Sequence, residues 1–481
     1  MTNTAEPRIV RHLINGEWVG DATEPRQNPA RPTQTAVLSA SGTAQTVDDA
    51  VCAAQAAAAA WAGTPSTARG TILTDAAQIL ISRHEEIAVD LVREEGKTLA
   101  DARGEVRRAI DVFRYFGGEG WRPDGHTVPS AFPQTMVYTR REPLGVVAAI
   151  TPWNFPIAIP AWKIAPALVS GNAVVLKPAE LTPRSSWHLA NALTEAGLPP
   201  GVLNVVFGAG AETGRALVAD DRVAAVSFTG SVPVGRAIGE TARVRGARVQ
   251  LEMGGKNPLV VLADADLDRA VGLAATGAFG QTGQVCTATS RVIVEAAVYD
   301  EFVTRLQEAA RRFVPGDGLD AGSGMGPVVS PAQLRQDREY LAVAEAEGGK
   351  VLVGGEEPDG LLQPAAVVAD VAPDHRIAQE EVFGPVAAVL RADDLDEALV
   401  IANGTGYGLA AGIVTNSIAQ AHRFIAEVEA GVVKVNRPTN GLDLTVPFGG
   451  VKGSSSNTFR EQGFSATDFY TQTKSVYLGL D

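Results

Sequence analysis

Cysteine is scarce in this chain. Two among 481 residues, Cys52 and Cys286, cannot staple a chain of this length, which excludes a disulfide scaffold. The 6 histidines (His12, His84, His126, His188, His375, His422) stand singly, and none belongs to an HExxH or CxxC…H pattern, so spacing points to no metal site. Positive charge is in deficit. The 41 Lys and Arg against 55 Asp and Glu leave a net −14, which argues against sequence-independent binding to nucleic acid or an anionic membrane surface. Long apolar runs are missing as well: none approaches the roughly 18–20 residues of a membrane span. The first residues, MTNTAEPRIVRHLINGEW, carry no signal-peptide core. The expectation is a soluble protein of a reducing, cytoplasmic compartment.

What is present fits a folded enzyme. Hydrophobic residues make up 45% and charged residues 20%, which excludes disorder. At roughly 100–200 residues per domain the length allows several domains, each with its own core. The stretch Asp48–Arg114 reads as helical: DDAVCAAQAAAAAWA is alanine-dense, Asp48 suits a cap and Trp61 closes the run. From Gly145 the texture changes. Apolar runs at 146–150, 173–177, 202–207, 224–229 and 248–252 alternate with helical stretches Arg184–Ala196, Ala211–Ala219 and Val234–Arg243. Continuous apolar strands between helices indicate a parallel sheet covered on both faces. A second such region spans about Leu259 to Val446, with helices near Leu267–Phe279, Tyr299–Phe313 and Pro331–Glu347. The Gly- and Pro-rich stretch Gly117–Tyr138 leaves the domain body. The tail Phe469–Leu478 alternates like a strand and is expected to pair with a neighbouring subunit.

Standard nucleotide signatures fail. The GKT at Gly96–Thr98 has Leu91 where a phosphate loop needs its first glycine, and FGAGAETG (Phe207–Gly214) has one residue too many before its last glycine. A second glycine turn, FTGSVPVG (Phe228–Gly235), follows the next strand; Ser231 is placed to cap a helix and Pro233 suits its first turn. Two such turns after successive parallel strands suit a dinucleotide, whose pyrophosphate is held at a helix amino terminus. LKPAE (Leu176–Glu180) closes a strand with Lys177 and Glu180, either a solvated charge pair or a ribose grip in which the carboxylate repels a 2′-phosphate.

Three polar groups sit in unusual contexts. TPWNFP (Thr151–Pro156) sets Asn154 in a rigid apolar loop, as a brace or a donor. LEMGGKNP (Leu251–Pro258) ends a strand at Glu252, a local ion pair or a base. GQVC (Gly283–Cys286) precedes the polar run TATS, whereas Cys52 sits inside the alanine helix as a small hydrophobe.

Taken with EEVFGP (Glu380–Pro385) and PFGG (Pro447–Gly450), these motifs resemble, in order and spacing, those of the aldehyde dehydrogenase superfamily, from INGEW (Ile14–Trp18) to KSVY (Lys474–Tyr477). The loop after Gly431 is most similar to that of α-ketoglutaric semialdehyde (2,5-dioxopentanoate) dehydrogenases. The resemblance implies an α/β fold with two parallel-sheet Rossmann-type domains and a small β oligomerisation element. It divides the chain into an NAD(P)-binding domain (1–118 and 142–252), a catalytic domain (253–450), and an oligomerisation element with tail (119–141 and 451–481). It further implies Cys286 as nucleophile, the Asn154 amide and Cys286 backbone N–H as oxyanion donors, and Glu252 as the base for hydrolysis. For the cofactor it implies Lys177 and Glu180 at the adenosine ribose, and Gly230 and Ser231 at the pyrophosphate. Glu381 and Phe383 would meet the nicotinamide ribose and ring, with Trp153 lining the cleft. Glu180 favours NAD, while Lys177 leaves NADP open. For the substrate, Arg437 is the implied carboxylate contact and Trp162 lines the pocket; Trp162 and Gly280 stand where succinic semialdehyde enzymes carry arginines. A broad-specificity or aromatic aldehyde dehydrogenase, or a succinic semialdehyde dehydrogenase, stays open, and a non-catalytic NAD-binding protein is disfavoured by the intact residue set. A homodimer or homotetramer, with a small aldehyde as the other partner, is expected.

Overall fold

The computed structural model describes residues 6–122 and 124–480. Two seven-stranded sheets organise it. The first runs Arg248–Met253, Val223–Gly230, Val146–Ile150, Ala173–Lys177 and Leu203–Val205 in parallel, then adds His12–Ile14 and Glu17–Val19 antiparallel at one edge. The second runs Lys350–Val353, Ala366–Ala369, Val386–Ala392, Thr289–Glu295, Asn257–Val261, Ala410–Val414 and Val432–Val435, parallel except for its first strand. The central strands are buried and apolar except for Lys177 and Asn257 at their ends, as strands covered on both faces should be.

Helices Ala44–Gly63, Ser66–Ser82, His84–Glu95 and Leu99–Glu119 fill the amino-terminal stretch read as helical. The first begins earlier than expected. Thr43 and Thr46 form a reciprocal capping box, which leaves Asp48 inside the helix, where its carboxylate pairs with Arg222. Trp61 does close that helix: it is 2% exposed and its indole N–H donates to the Leu168 carbonyl at 3.1 Å. Burying a side chain of this kind stabilises the fold by about 1.5–3 kcal/mol.

The carboxyl-terminal stretch divides. Residues Val451–Lys452 pair with Tyr407–Gly408 beside the second sheet, and Ser455 bridges to Glu252 on the first. Phe469 and Tyr470 then enter the first core. Thr471–Gly479 pairs antiparallel with Thr135–Pro143 of its own chain, in register over all nine residues. The strand expected from the tail's alternation is present, and it forms one edge of a sheet. Thr127–Val128 completes a three-stranded sheet. Among the described residues, no helix is long and apolar enough to cross a membrane.

Candidate active site

The carboxyl ends of the first sheet's parallel strands, where such sheets place their ligands, face the amino ends of the second sheet's strands across one cleft. Cys286 arrives through an unusual turn. After the helix Leu267–Phe279, three consecutive residues, Gln281, Thr282 and Gly283, take left-handed φ of 52°, 59° and 64°. Non-glycine residues adopt this region only where the surroundings enforce it. Thr282 is locked by its hydroxyl on the Gly326 carbonyl (3.0 Å), and Gln284 accepts from the Val329 N–H (2.9 Å). At Gly283 a methyl group would lie 2.2 Å from the Gly384 carbonyl oxygen, so no side chain fits. Asn257, at the start of the strand after the double glycine, grips the carbonyl of Cys286 at 2.8 Å. The nucleophile loop is therefore held by the second sheet and its loops, and from the first sheet by Asn154.

The thiol itself is half-buried, and burial together with the negative charges of Glu381 and Glu252 pushes its pKa up to about 12. At neutral pH it rests protonated. Glu252, at the end of Arg248–Met253, is 1% exposed; its carboxylate accepts from the Gly450 N–H (3.3 Å) and the Ser455 hydroxyl (3.2 Å). Burial, and then the charge of Glu461, hold its pKa well above the ordinary carboxylate value. Behind it, Lys163 donates to Ser227 at 2.9 Å and pairs with Glu461, and Ser227 donates to Gln250 at 2.9 Å.

Asn154 is buried, and its side-chain amide donates to the Gln284 carbonyl at 2.9 Å, which brings it to the cysteine loop. Its own carbonyl accepts from Lys97 (2.8 Å), whose ammonium also pairs with Glu105 (2.7 Å) and lies 4.6 Å from the Phe155 ring centroid. Glu105 in turn accepts from the backbone N–H groups of Ile157 and Ala158 at 2.9 and 3.1 Å. Lys97, Glu105, Lys163 and Glu461 were not foreseen in the sequence, although Glu105 on a core-facing helix position was a readable signal.

On the other side of the cleft, Lys177 ends the strand Ala173–Lys177, buried, with its pKa lowered by burial and supported by Glu180. A methyl group on Gly210 would lie 3.7 Å from the Lys177 ammonium nitrogen. Gly230 ends the strand Val223–Gly230, and Ser231 precedes the helix Val232–Val244 with Pro233 in its first turn; Ser231 is exposed and makes no side-chain cap bond. The first N–H groups of that helix are thus left for an anion. Trp153 and Phe383 meet edge to face with centroids 5.5 Å apart, and Phe383 has a φ of 61°. Glu381 is folded onto the glycine pair, accepting from the Gly255 N–H at 3.0 Å. A side chain on Gly254 would collide with it at 1.9 Å. Burial raises the Glu381 pKa to about 7.

A cavity of about 440 Å³ opens beside Cys286, with Phe155, Trp162, Asn440 and Leu442 in its walls. Trp162 is 7% exposed and tilts against Phe448. Arg437 is absent from these walls and exposed; the bend after it turns Thr439 inward, onto Thr289 and the Thr287 carbonyl at 2.9 and 2.7 Å. The cation in the wall is Arg108.

Residues 18–476 match the aldehyde dehydrogenase family. The chain belongs to that family. It is 49% identical to an alpha-ketoglutarate semialdehyde dehydrogenase of Haloferax volcanii, over 97% of this chain and 98% of the relative. It is 44% identical to an alpha-ketoglutaric semialdehyde dehydrogenase of Bacillus subtilis, over 99% and 100%. Its fold matches the crystal structure of Staphylococcus aureus betaine aldehyde dehydrogenase in complex with NAD+, with a TM-score of 0.95 at 34% identity, covering 98% of this chain and 95% of that one. The protein is an aldehyde dehydrogenase, an oxidoreductase whose substrate is a small aldehyde. The fold expected of an aldehyde dehydrogenase, two Rossmann-like parallel-sheet units, is the one observed.

Proposed function

We propose that this aldehyde dehydrogenase oxidises α-ketoglutaric semialdehyde to α-ketoglutarate with NAD+. One observation carries the chemistry: Cys286, Asn154 and Glu252, from two loops and a strand end far apart in sequence, lie together, with the Asn154 amide on the Gln284 carbonyl and Glu252 near enough to raise the thiol's pKa. The substrate reading draws on the two relatives of that name. The cofactor reading draws on the fit of the cleft: free helix N–H groups behind Gly230 and Ser231, a buried Lys177 beside Glu180, and the aromatic pair Trp153–Phe383 with Glu381. These residues would hold the dinucleotide, Glu180 disfavouring a 2′-phosphate.

The Cys286 thiol passes its proton to solvent water, and its sulfur attacks the aldehyde carbon, forming a C–S bond as the C=O π bond breaks. The carbonyl oxygen becomes an oxyanion, met by the Asn154 amide and the Cys286 backbone N–H. For this the Asn154 donor exchanges the Gln284 carbonyl for the oxyanion. A nicotinamide held by Trp153, Phe383 and Glu381 would supply the hydride acceptor, and loss of hydride from the thiohemiacetal carbon leaves an acyl thioester on Cys286. Glu252 then takes a proton from water, which attacks the thioester and releases the acid and the Cys286 thiolate. The Lys163–Glu461–Ser227 group behind Glu252 modulates its charge.

We assign residues 1–118 and 142–252 to cofactor binding and 253–450 to catalysis. The sheet of Thr127–Val128, Thr135–Pro143 and Thr471–Gly479, with exposed Phe132, Tyr477 and Leu478, is assigned to homodimer or homotetramer contacts. A second reading, a broad-specificity or aromatic aldehyde dehydrogenase, is favoured by the apolar wall of Trp162 and Phe155. The test is an aldehyde panel with NAD and with NADP, following the reduced cofactor. A preference for α-ketoglutaric semialdehyde with NAD supports the first reading; a preference for benzaldehyde replaces it with the second.

A further inference from the structure

The helix Leu99–Glu119 lays one face along the cavity: Asp101, Gly104, Glu105 and Arg108 follow the i, i+3, i+4, i+7 pattern and all line it. The charges on this face differ in what they have left to give. Glu105 is saturated by Lys97 and two backbone N–H groups. Asp101 is engaged at the start of the helix, where the Thr98 hydroxyl donates to it at 2.7 Å. Arg108 is different. The hydrogen bond from its guanidinium goes to a neutral group, the side-chain carbonyl oxygen of Gln462. The acidic groups that face it are Asp443 and Asp111, and both are occupied: Asp443 by the Thr445 N–H and hydroxyl (3.1 and 3.0 Å), Asp111 by Arg107 (3.0 Å).

Arg108 is thus a half-buried cation without a dedicated counter-charge, in the wall of the cavity that also exposes Cys286. A guanidinium has five donors and binds a carboxylate with two parallel N–H bonds. Gln462 is fully buried, with a left-handed φ of 58°, so the group that orients Arg108 is itself rigid. Glu105 braces the loop that carries Asn154, and Arg108 stands three residues, about 4.5 Å of helix rise, further along the same face. That offset suits a short chain with an aldehyde at one end and a carboxylate at the other.

We propose that Arg108, oriented by Gln462, is the anchor for the carboxylate of the aldehyde substrate. It takes the part that the sequence pattern suggested for Arg437, which is exposed and outside the cavity walls. The proposal rests on the substrate reading above and adds the residue that recognises the acid.

The test is steady-state kinetics on α-ketoglutaric semialdehyde, succinic semialdehyde and pentanal, with wild type, Arg108→Met, Arg108→Lys and Arg437→Met. The expected result is a KM for the acidic aldehydes raised on the order of 10–100-fold in Arg108→Met, with a much smaller change in kcat. Selectivity for acidic over neutral aldehyde falls by the same factor, and Arg108→Lys recovers part of it. If Arg108→Met melts early, Arg108→Lys decides: an unchanged KM there overturns the anchor. Wild-type preference for α-ketoglutaric semialdehyde that survives in Arg108→Met, or is lost in Arg437→Met instead, overturns the anchor and leaves the substrate reading standing. Wild-type preference for succinic semialdehyde, lost in Arg108→Met, supports the anchor and overturns the five-carbon substrate. No wild-type preference for any acidic aldehyde overturns both.

Discussion

On the side of the cleft that holds Asn154 and Glu252, buried charges arrive already paired: Lys97 with Glu105, Lys163 with Glu461, each pair tied further to backbone or hydroxyl groups. On the side that holds Lys177, Ser231 and Glu381, polar groups are left with free donors or with partners they can exchange. Ser231 makes no cap bond, and Glu381 rests on a single N–H. The first arrangement fixes atoms before the substrate comes, as transition-state stabilisation requires. The second leaves the ligand to complete the network. Rigidity is concentrated where bonds are made, and adaptability where a large cofactor must enter and leave.

That contrast can be broken by experiment. The largest effect belongs to Cys286→Ala, expected to abolish turnover in the NADH assay; normal turnover would remove the covalent mechanism altogether. Next, Glu252→Gln should lower steady-state turnover by about 10²–10⁴-fold while a single burst of reduced cofactor survives, since hydrolysis needs the base and hydride release does not. Third, Lys97→Met strands the buried Glu105 carboxylate and should cost about 3–5 kcal/mol in denaturant unfolding, whereas replacing both partners with apolar residues should cost less than the two single changes summed. If Lys97→Met were neutral, the bracing role of the pair would be wrong. A pH series sharpens the point. Glu252 has a raised pKa and acts only when deprotonated, and Cys286 is likewise held protonated, so kcat should climb with pH across and above neutrality. Glu252→Gln should flatten the part of that climb due to hydrolysis. The smallest effect is on the adaptable side: Lys177→Ala should raise the KM for NAD by about tenfold, in line with a lost charged hydrogen bond, with little change in melting temperature.

The same division explains what could be read without coordinates. The strands at 146–150 and 173–177 were legible because strands buried on both faces are near-continuously apolar, broken here only by Lys177 at an end. Cys286, Glu252 and Asn154 were legible because each sits in a short motif of unusual composition. The helix start was missed because Thr43 and Asp48 are both good caps, and only the reciprocal bond with Thr46 decides between them. The bracing charges were missed for another reason. Lys163 and Glu461 are 298 residues apart, and nothing local to either marks the other. Arg108 resembles any helix-surface arginine until the cavity beside it is seen, while Arg437 attracted notice only through the motif around it.

The tail has a consequence for how the enzyme comes into being. Ser454 accepts the Met253 N–H with its carbonyl at 2.9 Å, Ser455 touches the Glu252 carboxylate, and Glu461 reaches Lys163, all before the last strand returns to the arm. During synthesis both parallel sheets are complete by Val435, yet the surroundings of Glu252 are not. A chain stalled or clipped near residue 450 would keep most of its core and have no finished catalytic centre. The surroundings of Glu252 therefore form only after residues 454–461 have been made, later than either sheet.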